Sequence, residues 1–141
     1  MILFKPYHVN SILHGLKTCT RRLGFKRWNV GSIHEAKTKY TSDSCFAHLR
    51  IFKVYQQQLK FMTINDANAE GGYTIHDCKI TPVNKETLQT CQSCSHYKTC
   101  FQVVWTKING SWNPEEHVWV IYFECVNYHK ITPMENTTEL M

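Results

Sequence analysis

Gly15-Leu16-Lys17-Thr18-Cys19-Thr20-Arg21-Arg22 is the stretch on which the reading of this chain turns. The segment before it is apolar at helical spacing, with Val9, Ile12, Leu13 and Leu16 on one face. Gly15 suits the left-handed position that closes a helix. The polar run therefore leaves a helix C-terminus and enters an extended segment. It concentrates one ammonium, two hydroxyls and two guanidinium groups within residues 17–22. Such a run can hold an anionic or carbonyl-bearing ligand. Arg offers a planar fork, Lys a point charge, and Thr a small donor and acceptor. The plain alternative is a solvated basic turn.

Composition bounds what the rest can be. A chain of 141 residues is one domain by length, and 43% hydrophobic with 13% aromatic residues can bury a core. No apolar run reaches the length of a membrane span. Met1-Ile2-Leu3-Phe4-Lys5-Pro6 is interrupted too soon for a signal peptide. The expectation is a cytoplasmic protein without a membrane partner. A formal charge of +5 fits a nucleic-acid or nucleotide partner but does not require one. Seven cysteines without an export signal argue for metal ligands or buried thiols rather than a disulfide framework.

Working outward, residues 2–4 read as a short strand and 9–16 as a helix. Residues 21–30 are basic and loop-like. Residues 33–40 and 45–56 alternate at period two and read as strands, with a short extended piece over 59–62. Thr63 caps a helix that ends at Gly71-Gly72, with Asp66 in the third-position role of a capping box. Residues 101–108 form a helix with Phe101, Val104, Trp105 and Ile108 on one face, stopped by Asn109-Gly110. Residues 117–126 are a strongly β-prone strand. The pattern predicts a compact α+β domain built on a small barrel or curved sheet.

Four motifs, in order, resemble the ASCH family, a branch of the PUA-like superfamily. Residues 12–22 are similar to its Gly-x-Lys-x-x-Thr-x-Arg signature. Val30-Gly31-Ser32-Ile33 resembles the start of a barrel strand. The third is Asp66 through Tyr73. The fourth joins Trp105, Gly110-Ser111-Trp112-Asn113-Pro114 and Val118-Trp119-Val120-Ile121-Tyr122-Phe123. The resemblance implies a small PUA-like β-barrel over residues 1–127, with short covering helices, a cleft beside the first motif and a flexible tail over 128–141. It also implies binding of RNA or a modified nucleoside in a cationic cleft.

Some small bacterial members are amidohydrolases that remove the acyl group from N4-acetylcytidine. Carried over by motif, their catalytic set falls on Lys17, Thr20 and Glu70. Amide hydrolysis needs a nucleophile, a proton acceptor and stabilisation of the tetrahedral intermediate. Thr20 would attack or position water, Lys17 would act as base, and Glu70 would orient Lys17 or shuttle the proton. The structural alternative is a Lys17–Glu70 ion pair closing the barrel, with Thr20 on a strand.

Two features depart from those small hydrolases. Arg21, Arg22, Lys26 and Arg27 interleave with the aromatics Phe25 and Trp28, which suits phosphate contacts with base stacking. Residues 76–100 read as a cysteine-rich insertion, Cys78-x12-Cys91-x2-Cys94-x5-Cys100. Four thiolates suit a structural zinc, or alternatively an iron–sulfur cluster, with His76 and His96 as substitute ligands. No organic cofactor is expected. The insertion could instead serve a protein-interaction module. Cys19, Cys45 and Cys125 read as buried hydrophobes. His8, His14, His34, His48, His117 and His129 show no metal-ligand spacing among themselves.

Overall fold

Two long strands carry the architecture, because the β-branched and aromatic residues are densest there. Strand β4, Cys45–Gln58, and strand β5, His117–Tyr128, pair antiparallel from Ala47↔Tyr128 to Gln58↔His117. The computed structural model describes residues 1–71 and 97–128, with backbone alone for 97–100 and 127–128. Within these residues β1 (Ile2–Leu3), β2 (Cys19–Arg22) and β3 (Ile33–Lys37) complete a five-stranded sheet in the order β1-β3-β4-β5-β2. β1 runs parallel to β3, and the other pairings are antiparallel. Register shifts at His48/Leu49 and Ile51/Lys53 bend the long pair, as bulges do, and curve the sheet into a half-barrel.

Alternation along β5 divides the core between the two sides of the sheet. Val118 and Val120 join Cys19, Leu59, Met62, Ala67, Phe101, Val104 and Trp105 in one cluster. Ile121 and Phe123 join Ile2, Phe4, Ile12, Trp28, Phe46, Leu49 and Ile51 in the other. Each such aliphatic or aromatic side chain, fully buried, contributes roughly 1.5–3 kcal/mol of transfer free energy. A one-residue slip of β5 would exchange the two sets.

Helix α1, Val9–Leu13, precedes β2; α2, Ile64–Ala69, follows β4; and α3, Tyr97–Asn109, leads to β5. No described helix is long and apolar enough to cross a membrane. The capping box at α2 is present: Asp66 N–H donates to Thr63 Oγ1 at 3.2 Å, and Thr63 N–H to Asp66 Oδ2 at 2.8 Å.

Four local expectations need correction. α1 stops at Leu13, because Leu16 and Lys17 N–H groups both turn back to Ser11 O. The piece over 59–62 is a 3₁₀ turn, Leu59–Phe61, which buries Leu59 and Met62 together. The strand beginning at Ile33 ends at Lys37, where its pairing with β4 shifts register. Arg21 and Arg22 belong to β2 rather than to the following loop, since they pair with Val120 and Trp119. Residues 72–96, which include 76–96 of the cysteine-rich insertion, lie outside the described residues, as do 129–141 of the expected tail.

Candidate functional site

The signature stretch is fixed at both ends by backbone. Gly15, at φ 74°, turns the chain out of α1. Thr18 N–H donates to Ala69 O at 2.7 Å, and Lys17 forms a lone antiparallel bridge with Glu70. The C-terminus of α2 is thereby pinned to the start of β2. Gly71 permits this approach: its φ is 101°, and a Cβ there would meet Lys17 Cβ at 3.1 Å.

This pinning assembles a buried ionic network. Lys17 Nζ donates to Glu70 Oε1 at 2.9 Å, Cys19 O at 2.9 Å and Glu70 O at 3.3 Å. Arg21 Nη1 donates to Glu70 Oε2 at 2.7 Å, and its Nη2 lies 3.4 Å from Asp66 Oδ1. Gln57 Oε1 accepts from Arg21 Nε and Nη2 at 3.3 and 3.1 Å. Two cations therefore face two carboxylates, with every Lys17 N–H engaged. Burial alone would raise the Glu70 carboxyl, but Lys17 and Arg21 outweigh it and hold the group below its ordinary range. Burial, reinforced by Glu70, pushes the Cys19 thiol far up, so Cys19 is no thiolate nucleophile.

Thr20 and Arg22 leave the opposite face of β2. Arg22 Nε donates to Thr20 Oγ1 at 3.1 Å, and its Nη2 to Leu3 O at 2.7 Å. The guanidinium carbon lies 5.0 Å from the centroid of the Phe4 ring. Among the described residues it has no carboxylate within ion-pair distance. Burial, opposed in part by distant Glu70, lowers Arg22 to about 10.

β2 is the end strand of the sheet, so residues from both its faces border one cavity of about 310 Å³. Lys17, Thr20, Arg21, Arg22 and Glu70 line it together. Phe101, Val104, Trp105 and Ile108 of α3 supply an apolar wall. Lys26 and Arg27 are exposed on the loop beyond β2 and do not line the cavity. Trp28, expected as a stacking platform, is buried in the core at 6% exposure and offers no free face. Phe25 is the exposed aromatic of that loop, at 85%.

Sequence reasoning passed over His8, which is buried and lines the cavity. It also passed over Gln57, and over Asp66 as a partner of Arg21. Only the order of charges could have pointed to Asp66, since two basic residues in one motif need acidic partners when buried.

Cys78, Cys91 and Cys94 lie outside the described residues, as does the side chain of Cys100, whose backbone belongs to α3. A different group comes together instead: ligand atoms of Glu35, Cys45 and His48 lie within 4.8 Å of one another. Glu35 and His48 are directly paired across β3 and β4. Ala36 pairs with Ala47 and Lys37 with Cys45, so Phe46 is the extra residue of a bulge. That bulge turns Cys45 to the side of His48, which strict alternation would forbid. Glu35 is also paired with Lys37 Nζ at 3.2 Å.

No protein-family model matches the chain, and no curated protein matches it by sequence. Its fold matches solved structures. The ASCH domain from Lactobacillus crispatus superposes with a TM-score of 0.50 at 16% identity, over 86% of this chain and 70% of that one. A DUF984 protein from Enterococcus faecalis superposes with a TM-score of 0.57 at 13% identity, over 86% of this chain and 71% of that one. With its mixed, curved five-stranded sheet and short helices, this chain has an ASCH-like fold of the PUA-like α+β kind.

Proposed function

We propose that the cavity binds one nucleotide unit of an RNA, or a modified nucleoside, with Arg22 facing an anionic or carbonyl oxygen of the ligand. The observation that carries this reading is the state of Arg22. A guanidinium lining a cavity without a carboxylate partner is costly, and an incoming anion removes that cost. The cavity, about 310 Å³, is at the small end of ligand pockets and suits a single base or nucleoside. Exposed Lys26, Arg27 and Phe25 on the adjoining loop suit contacts to flanking phosphates and bases. The test is binding of a labelled single-stranded RNA across a salt series. The expected result is binding that weakens steeply with salt and is weakened by about tenfold or more in Arg22→Leu. Binding that is unaffected by that substitution would overturn the reading.

A second reading is hydrolysis of an N4-acylcytidine, supported by Lys17, Thr20 and Glu70 lining the same cavity. Thr20 Oγ1 accepts from Arg22, which leaves its O–H free to be drawn away. The network opposes the step that follows. Lys17 can take a proton only after giving one up and losing its bonds to Glu70 and Cys19 O. Binding is therefore the reading we favour. Turnover of N4-acetylcytidine that disappears in Lys17→Ala would reverse that preference.

A further inference from the structure

We propose that His8 selects the ligand by an N–H group, accepting its hydrogen bond inside the cavity; this rests on the binding reading above. His8 ends a 3₁₀ turn, Pro6–His8, whose backbone is closed by His8 N–H donating to Lys5 O at 2.9 Å. Its ring lies between two aromatic neighbours, 6.4 Å edge-on from Phe4 and 4.9 Å from Tyr7. The residue is 9% exposed and lines the cavity. It is thus held in place before any ligand arrives.

Neither ring nitrogen has a hydrogen-bond partner among the described residues. A buried polar atom left so is uncommon and costly, and it points to a missing partner. Burial, then Lys17, then Arg22 push the imidazole far below the ordinary histidine range, so it is neutral. A neutral imidazole carries one bare nitrogen that accepts and one N–H that donates.

The other groups around the cavity define what that acceptor is for. Arg22 and the Thr20 hydroxyl supply donors, which suit ligand oxygens. Both Glu70 carboxylate oxygens are already taken, by Lys17 and Arg21. Thr38, half-buried, and Asn109, exposed, also border the cavity, and water can serve both. A ligand N–H that enters the buried part therefore meets the bare nitrogen of His8. The ligand class is a base or amide with an N–H beside an oxygen, rather than an anion alone.

The experiment measures binding of two nucleotide pairs that differ in one N–H. Uridine 5′-monophosphate is set against its 3-methyl analogue, and cytidine 5′-monophosphate against its N4,N4-dimethyl analogue. The protein is tested as wild type, His8→Phe and His8→Gln. The expected result is a preference of about tenfold or more for the N–H member of at least one pair in wild type. His8→Phe keeps the ring packing and should reduce that preference to within about twofold, and His8→Gln should restore part of it. A preference that survives in His8→Phe, or that wild type never shows, overturns the inference while the cavity still stands as a binding site. Failure of wild type to bind any of the four overturns both readings. Should His8→Phe not fold, the ¹⁵N resonances of His8 in wild type decide. Movement of the bare nitrogen on adding the preferred nucleotide supports the contact, and no movement overturns it.

Discussion

Arg21 and Arg22 are neighbours on one four-residue strand, yet the fold treats them in opposite ways. Arg21 turns toward the α2 end, where Glu70 and Asp66 pair with it and Gln57 of β4 accepts from it. Burial alone would lower it, but Glu70 and its other anionic neighbours outweigh that and raise it. Arg22 turns toward Leu3 and Phe4, where it finds a carbonyl, a hydroxyl and a ring but, among the described residues, no carboxylate. A residue type therefore does not announce its role. The first arginine completes a closed network that holds α2 to β2, and the second leaves a charge open to the cavity. The strand alternation that separates them makes one motif both a structural clamp and a recognition surface.

The largest effect should come from breaking the closed side. Glu70→Gln leaves Lys17 and Arg21 buried without their shared anion, and removing one partner of a buried ionic set costs about 3–5 kcal/mol. Urea unfolding of wild type and variant should show that loss in the midpoint. Arg21→Leu should cost a similar amount, about 3 kcal/mol, since it strands Glu70 and Asp66. Arg22→Leu, by contrast, removes a cation that has no carboxylate partner among the described residues, and should change stability by no more than about 1 kcal/mol. Equal losses in the two arginine variants would dissolve the distinction between them.

Acid should separate the two sides of β2 by pH window. Glu70 in the folded state lies below its ordinary 4.5, so the unfolded chain takes up that proton first as pH falls. The stability it supplies is complete above about pH 4.5 and is lost as pH drops through the folded value. His8, on the side of Arg22, is lowered from 6.5 to about 2 by burial, then Lys17, then Arg22. The unfolded chain again binds the proton first, so this loss begins near pH 6.5 and continues toward 2. One proton gives a slope near 1.4 kcal/mol per pH unit. The difference between wild type and His8→Phe should therefore open below pH 6.5, and that between wild type and Glu70→Gln should change only below about 4.5. Unfolding curves over pH 3–8 check both.

The contrast also explains what the sequence could and could not tell. Period-two alternation placed β3 and β4, and a density of β-branched and aromatic residues placed β5, because these strands bury side chains in the core clusters. Thr63 and Asp66 marked the start of α2, since a capping box is local chemistry. The meeting of Lys17 with Glu70 was legible only through the family resemblance, because no local rule joins residues that far apart in the chain. Trp28 misled because a basic, aromatic loop reads as a stacking surface. Its burial is decided by Ile12, Leu49 and other residues distant in sequence. His8 was passed over because it lies outside the signature motif, and the fold is what brings Lys17 and Arg22 to it. The Glu35–Cys45–His48 group depends on a bulge, which shifts the faces of β4 without any punctuating Gly or Pro.

The smallest effect is the most selective one. If Arg22 meets a phosphate, binding of single-stranded RNA releases about 0.7 of a counterion for that contact. Arg22→Lys keeps a positive charge there but replaces the fork with a point charge. It should preserve the slope of log K against log salt while lowering affinity at every salt. Arg22→Leu should reduce the slope by about 0.7. If residual binding falls too low in Arg22→Leu for a slope to be read, the Lys variant still separates charge from geometry. Lys26 and Arg27, exposed on the loop, should each reduce the slope by a similar amount when neutralised. Arg21 already spends its charge on Glu70 and Asp66, and so has none left for a phosphate. A conservative Arg21→Lys variant that remains folded should therefore leave the slope where it was. A shallower slope in that variant would mean that the network opens when RNA binds, and that the clamp and the recognition surface are one device.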